Sequence, residues 1–248
     1  MKRLLVLLMS VGLSISTWAQ LSALEIITKS EENLRGQSTI SEMEIHIVRP
    51  TWKRTMAVKS WAKGSEMSMI LLLSPARDKG TVFLKRAKEI WNYIPTVERT
   101  IKLPPSMMMQ SWMGTDFNND DLVRESSLVK DYTHKLRGEK IIRGISCYEI
   151  ELIPKPEAPV VWGKIVCYIS KEDFLQIQVS FFDEDNVLIN LLEGFDIKTM
   201  DGRKLPTRLR MTPQGKEGQY TEMIYQRIDF NVTIEDGFFT TQNMKRLH

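Results

Sequence analysis

From Met43 to Phe230 the chain reverses direction roughly every 8–12 residues, and most stretches between reversals alternate apolar with polar side chains. Met43, Ile45 and Ile47, for example, alternate with Glu42, Glu44 and His46. A period of two sends one set to each face of a strand, so such segments must pair with neighbours and bury one face. Trp52–Lys63 and Met67–Leu73 form an expected hairpin about Lys63-Gly64-Ser65. Thr81–Arg86 and Glu89–Tyr93 form another about Ala87-Lys88, and Val97–Leu103 closes the first half. The pattern resumes in Asp131–Gly138, Glu139–Gly144, Cys147–Ile153, Gly163–Ser170, Leu175–Phe182, Val187–Lys198, Arg203–Met211 and Gly218–Phe230. Asp183-Glu184-Asp185-Asn186 and Met200-Asp201-Gly202 are turn sequences between paired strands. The fold class is therefore mainly β: one antiparallel, strongly curved sheet of about 10–11 strands, an incomplete β-barrel, because so many strands do not lie flat.

Two segments break the rhythm. Leu21–Arg35 has helical periodicity, with Leu21, Leu24, Ile27 and Leu34 on one side and Gly36 as its stop. Pro104–Leu122 lies between the two runs of strands. Pro104 and Pro105 end the preceding strand, since neither donates to a ladder. Ser106 is suited to cap a helix that Gly114 would stop, and on it Met108, Met109, Trp112 and Met113 share one arc opposite Gln110 and Ser111. A second short helix is expected from Asn118, with Asp120 and Asp121 in its first turn where the dipole favours acids. Such an insert, at about residues 105–124, fits two roles: a plug that completes an ordinary core, or a movable lid over a greasy pocket. Flexible, polarisable thioethers suit a surface that must accept varied shapes. Beyond the sheet, Asp236–Phe239 and the tail to His248 are expected to be irregular, with Phe238 and Phe239 against the sheet's end.

Met1–Ala19 has the form of a secretory signal peptide: Lys2 and Arg3, an apolar run from Leu4 to Ile15, then Thr17-Trp18-Ala19 before a cleavage point after about Ala19. Residues 20–248 are then one domain, soluble in the periplasm and expected to be monomeric. No cysteine follows the cleavage point to take a lipid anchor. The chain has 34 lysines and arginines against 31 aspartates and glutamates, and two of the basic residues fall in the leader, so the remainder is nearly neutral. No concentrated basic stripe is present, and no nucleic-acid partner is expected. Cys147 shares a strand face with Glu149 and Glu151, and Cys167 with Ile165 and Ile169; in register the two thiols point to opposite faces, which predicts two free cysteines.

The sequence carries few signatures of catalysis or metal binding. Asp116–Asp120 resembles the start of a calcium loop, but Asp121 stands where glycine is needed and Ser127 where glutamate is needed. His46, His134 and His248 are too scattered for paired ligation. Gly144-Ile145-Ser146-Cys147-Tyr148 lacks the second glycine of a nucleophile elbow, and no glycine-rich phosphate loop precedes a helix. No enzyme activity, cofactor or metal is expected. Burial of an acyl chain, worth about 0.8 kcal/mol per CH₂, needs no catalytic motif.

The run from Ser106 to Leu122, with its Met113-Gly114-Thr115-Asp116-Phe117 core, resembles the central segment of bacterial outer membrane lipoprotein-sorting proteins of the LolA-like superfamily. Lys171-Glu172-Asp173-Phe174-Leu175, the stretch Asp201–Arg208 and Phe238-Phe239-Thr240 fit the same pattern. The resemblance implies an incomplete β-barrel with a helical lid over a hydrophobic cavity that receives acyl chains. It implies lipoprotein or lipid cargo, with an inner-membrane transporter and an outer-membrane acceptor as partners. In the founding carriers a strand arginine holds the lid shut; the sequence alone assigns that role to no residue here. On this view Met108, Met109, Trp112, Met113, Phe117 and Leu122 line the lid and face Trp91 and Tyr93 on the sheet. The alternative is a periplasmic binding or sensor module that acts with a membrane partner and carries nothing.

Overall fold

A computed structural model describes residues 21–87, 89–123, 127–156, 158 and 160–247. The signal peptide expected at 1–19, the Lys88 position of one expected turn and His248 lie outside the described residues.

Helix α1 (Ala23–Arg35) begins at a capping box. Ser22 accepts from the Glu25 amide, and the Glu25 carboxylate accepts from the Ser22 amide, so two otherwise orphaned donors are satisfied. It ends at Gly36, whose φ of 58° favours glycine, and a β-carbon there would come within 3.0 Å of Asn231 Oδ1. Ile26 and Ile27 are fully buried, whereas Leu24 is 45% exposed. The apolar stripe is therefore centred on Ile26 and Ile27, and Leu24, expected inside, points to solvent.

The strands are β1 (Ser38–Val48), β2 (Lys53–Lys63), β3 (Met67–Ser74), β4 (Val82–Arg86), β5 (Glu89–Ile94), β6 (Arg99–Lys102), β7 (Tyr132–Ile142), β8 (Ile145–Pro154), β9 (Lys164–Ser170), β10 (Gln176–Phe182), β11 (Leu188–Met200), β12 (Arg203–Pro213) and β13 (Tyr220–Phe230). All thirteen belong to one antiparallel sheet in the order β6-β5-β4-β3-β2-β1-β13-β12-β11-β10-β9-β8-β7. The sheet has thirteen strands rather than the ten or eleven expected, because nearly every expected segment, the short β4, β5 and β6 included, pairs as a strand of its own. Asp131–Gly138 and Glu139–Gly144 merge instead into β7, which bends at a register shift between Leu136 and Gly138.

Two meanders, β1–β6 and β7–β13, are thus zipped together along β1 and β13. The free edges are β6 and β7, which are consecutive in the chain. Residues 103–131 run from one edge to the other, so the insert spans the opening that sheet curvature leaves. The inner face carries the main core, including Ile45, Val58, Phe83, Ile150, Ile165 and Met211. Helix α1 packs across β7, β9 and β12, while the short α2 (Asn119–Val123) within the insert packs on β4.

The outer face of β3–β5 has its own cluster of Met69, Leu71, Val82, Leu84 and Tyr93. It is covered by the C-terminal segment, where Ile234, Phe239 and Met244 are buried and α3 (Thr241–Met244) follows a 3₁₀ turn at Asp236–Phe238. Phe238 packs on Trp61 at 5.3 Å and on Phe239 at 5.4 Å. Cys147 and Cys167 are both free and buried, in clusters on opposite faces, as alternation requires.

Candidate functional site

The insert does not form the expected two-turn helix between Ser106 and Gly114. Pro105–Met107 makes a single 3₁₀ turn, after which the backbone pairs across a tight loop rather than along a helix. Ser111 bridges to Asn118, the Trp112 amide donates to Phe117 O at 2.9 Å, and the Thr115 amide donates to Trp112 O at 2.9 Å. Met113 and Gly114, at φ of 51° and 79°, reverse the chain in a conformation no helix tolerates. The Thr115 hydroxyl donates to Trp112 O at 2.7 Å. These pairings within the loop outweigh the modest helix preference of the methionine run. The second helix does form as α2. Asn118 and Asp121 cap it reciprocally, with Asp121 N to Asn118 Oδ1 at 2.7 Å and Asn118 N to Asp121 Oδ2 at 2.9 Å.

Polar pins hold the loop to the sheet. Arg49, at the end of β1, donates to Asp116 Oδ2 at 2.9 Å and to Gly114 O at 3.0 Å. The Thr221 hydroxyl donates to the same carboxylate at 2.7 Å and accepts from the Asp116 amide at 3.0 Å. Arg54 donates to Met113 O at 3.3 Å and pairs with Asp78. Farther along, Trp162 Nε1 donates to Asp121 Oδ1 at 3.2 Å. The partners of Asp116 lie 67 and 105 residues away, so no local sequence pattern discloses them.

Between insert and sheet a cavity of about 250 Å³ remains. Its sheet side includes Met43, Ile45, Val58, Val179, Phe181 and Met211, and its insert side includes Trp112, Phe117, Asp120, Asp121 and Leu122. Buried Lys85 and a row of small hydroxyls, Ser41, Ser60 and Ser68, give one part of the wall a polar character. Lys85 Nζ donates to Ser65 O at 2.9 Å. Nearby, burial holds the Tyr132 hydroxyl far above the ordinary phenol range, and Asp120, Asp131 and Asp121 push it the same way.

Of the eight residues expected at the site, Trp112, Phe117 and Leu122 line the cavity, and Met113 packs against the core beneath it. Met108 is buried in a small separate cluster with Ile90. Met109 is 59% exposed, because without a helix its position no longer shares an arc with Met108. Trp91 and Tyr93 do not face the insert. Alternation along β5 sends Ile90 towards it, so Trp91 and Tyr93 belong to the outer cluster under the C-terminal segment. Sequence reasoning missed Arg49, Arg54, Lys85 and Thr221.

Among the described residues, no helix is long and apolar enough to cross a membrane. No curated protein matches this chain. Several solved structures share the fold. A DUF1329 family protein from Desulfovibrio piger is 23% identical, with a TM-score of 0.81 over 90% of this chain and 97% of that one. A putative outer membrane lipoprotein-sorting protein domain from Vibrio parahaemolyticus is 19% identical, with a TM-score of 0.80 over 90% and 98%. A LolA superfamily protein from Nitrosomonas europaea is 21% identical, with a TM-score of 0.78 over 90% and 99%. These likenesses establish the LolA-like fold, a curved and unclosed antiparallel sheet with few helices. A family model described as that of an uncharacterized protein matches residues 64–246, nearly three-quarters of the sequence, and the chain belongs to that family.

Proposed function

We propose that this protein is a periplasmic, non-enzymatic carrier that takes acyl chains of lipoproteins or lipids between sheet and insert and takes part in sorting them to the outer membrane. The observation that carries this reading is the cavity itself: a hollow lined largely by apolar side chains, under a cover pinned by polar groups at its rim. An engineered apolar cavity of about 150 Å³ stays dry and binds benzene, so an apolar space of this size is a ligand site in waiting. At about 250 Å³ it falls short of the roughly 300–1,000 Å³ of ordinary ligand pockets. Loading a long chain therefore requires the insert to move. Arg49 and Asp116 are the latch in this reading, since their release frees the loop while leaving the sheet's hydrogen bonds intact.

The signal-peptide form of residues 1–19 and the lipoprotein-sorting name of one structural neighbour support the periplasmic setting. Transit between membranes needs a donor at the inner membrane and an acceptor at the outer one, and these are the partners proposed. Trp112, Phe117 and Leu122 form the lipid-contacting side of the cover. Native mass spectrometry of protein released gently from its own periplasm tests the reading. A bound acylated species is the expected result. Protein that is consistently empty and held by a membrane-protein partner would overturn it in favour of a binding or sensor module.

A further inference from the structure

The cover of the cavity holds a hydrogen-bond donor that the protein leaves unused. Trp112 is fully buried among the residues that line the cavity, and its indole Nε1, enclosed while the cover is shut and reachable once the insert moves as loading requires, has no acceptor among the described residues. Trp162, the other indole at the wall, donates to Asp121. A buried N–H without an acceptor bears the full cost of its lost hydration, so an unused one at a ligand cavity marks where a ligand atom belongs.

The position of Trp112 indicates which atom. Its ring packs on Phe83 at 5.3 Å. Two residues along β4, on the same face and roughly 7 Å away, comes Lys85, with Ser68 directly opposite it in register. Beside Phe83 lies Ile70, and Val58 and Ile45 continue the apolar floor. Trp112 thus stands at the border between a polar row and an apolar floor. An amphiphile seated there would place the junction between its chain and its head at the indole.

We infer that the cargo is an acyl ester whose carbonyl oxygen accepts a hydrogen bond from Trp112 Nε1, with its chain on the apolar floor and its head towards Ser68 and Lys85. Trp112 is then a specificity-determining residue that distinguishes acyl from alkyl chains. This inference rests on the carrier reading and goes beyond it.

A monoacylglycerol and the alkylglycerol ether of equal chain length differ in that carbonyl alone, and their affinities for the mature protein provide the test. The unsubstituted protein is expected to prefer the ester about tenfold, the worth of one hydrogen bond inside a dry site. Trp112→Phe keeps a ring on Phe83 but removes the donor, and should lose the preference for ester over ether, the ratio being read whatever the change in overall affinity. The unsubstituted protein also supplies a readout that does not depend on that variant folding: the Trp112 indole N–H resonance should shift on adding ester and stay in place on adding ether. Equal affinity for both amphiphiles, a preference that survives Trp112→Phe, or an unmoved resonance would overturn the inference and leave the carrier reading standing. Binding of neither amphiphile would count against the carrier reading, and the inference would fall with it.

Discussion

Chain outside the strands covers this sheet twice, once over the inner face by residues 103–123 and 127–131 and once over the outer face of β3–β5 by the C-terminal segment. The outer cover is seated by apolar side chains: Phe239 and Met244 are fully buried and Phe238 lies on Trp61. The inner cover also buries Trp112 and Phe117, but it is pinned at its rim as well, by Arg49, Thr221 and Arg54 on Asp116 and Met113, and it leaves a hollow behind. Apolar contacts are lost only when area returns to water, which couples the outer cover to the stability of the whole fold. A hydrogen-bonded pin can be exchanged for water at small net cost, so in the proposed carrier the inner cover, with a hollow behind it, is the one that opens. On that proposal the same architectural device serves as packing on one side and as a door on the other.

Four substitutions or titrations bear on that contrast. Phe239→Ala should cost most, about 3–5 kcal/mol, as a large side chain lost from a filled site. Urea unfolding measures it, and amides of the insert should keep their relative protection from hydrogen exchange. Asp116→Ala should cost less overall, about 2–3 kcal/mol for a charged partner removed from a largely buried pair. Its distinctive result is local: amides between Met107 and Leu122 should exchange faster while β8–β12 remain protected. Uniform protection in that variant would mean that the pins do not hold the cover.

The third test is acid titration. Glu222 adjoins Thr221 on β13; burial alone would raise its pKa, but hydrogen bonds from Arg208 and Arg210 outweigh this and hold the carboxyl below its ordinary 4.5. A lowered folded-state pKa gives stability that is fully present above the unfolded value and is lost as pH falls through the folded one. Unfolding free energy should therefore decline below about pH 4.5, and Glu222→Gln should flatten that slope; an unchanged slope would assign the acid limit elsewhere. The smallest effect is expected from Met109→Ser. Its side chain is mostly exposed, so stability should change by no more than about 0.5 kcal/mol and lipid binding should be unaffected.

Much of the fold was legible because period-two alternation is a local property. Most strands between Met43 and Phe230 could be placed within a residue or two, the exceptions being β1, which starts earlier at Ser38, and β7, which joins two expected segments; Gly36, Asp120 and Asp121 marked helix ends by local chemistry alone. The candidate site was less legible. Trp112, Phe117 and Leu122 could be named from the sequence. Trp91 and Tyr93 could not be excluded, because alternation divides a strand into two faces without saying which face looks inward. Met109 went astray with the helix that did not form. Arg49 carries no local mark of its contact with the insert, since its partner Asp116 lies 67 residues on.

Residue order was enough to specify strands, turns, the capped first helix, the separation of the two thiols and a methionine-rich break between two meanders, because each depends on neighbours a few positions apart. Whether that break became a helix, which faces turned inward, and whether the space beneath it was filled were settled only when β1 met β13 and the far edges were left open. Those outcomes depend on contacts between residues about a hundred positions apart, and the side chains involved find their partners only after the sheet has curved.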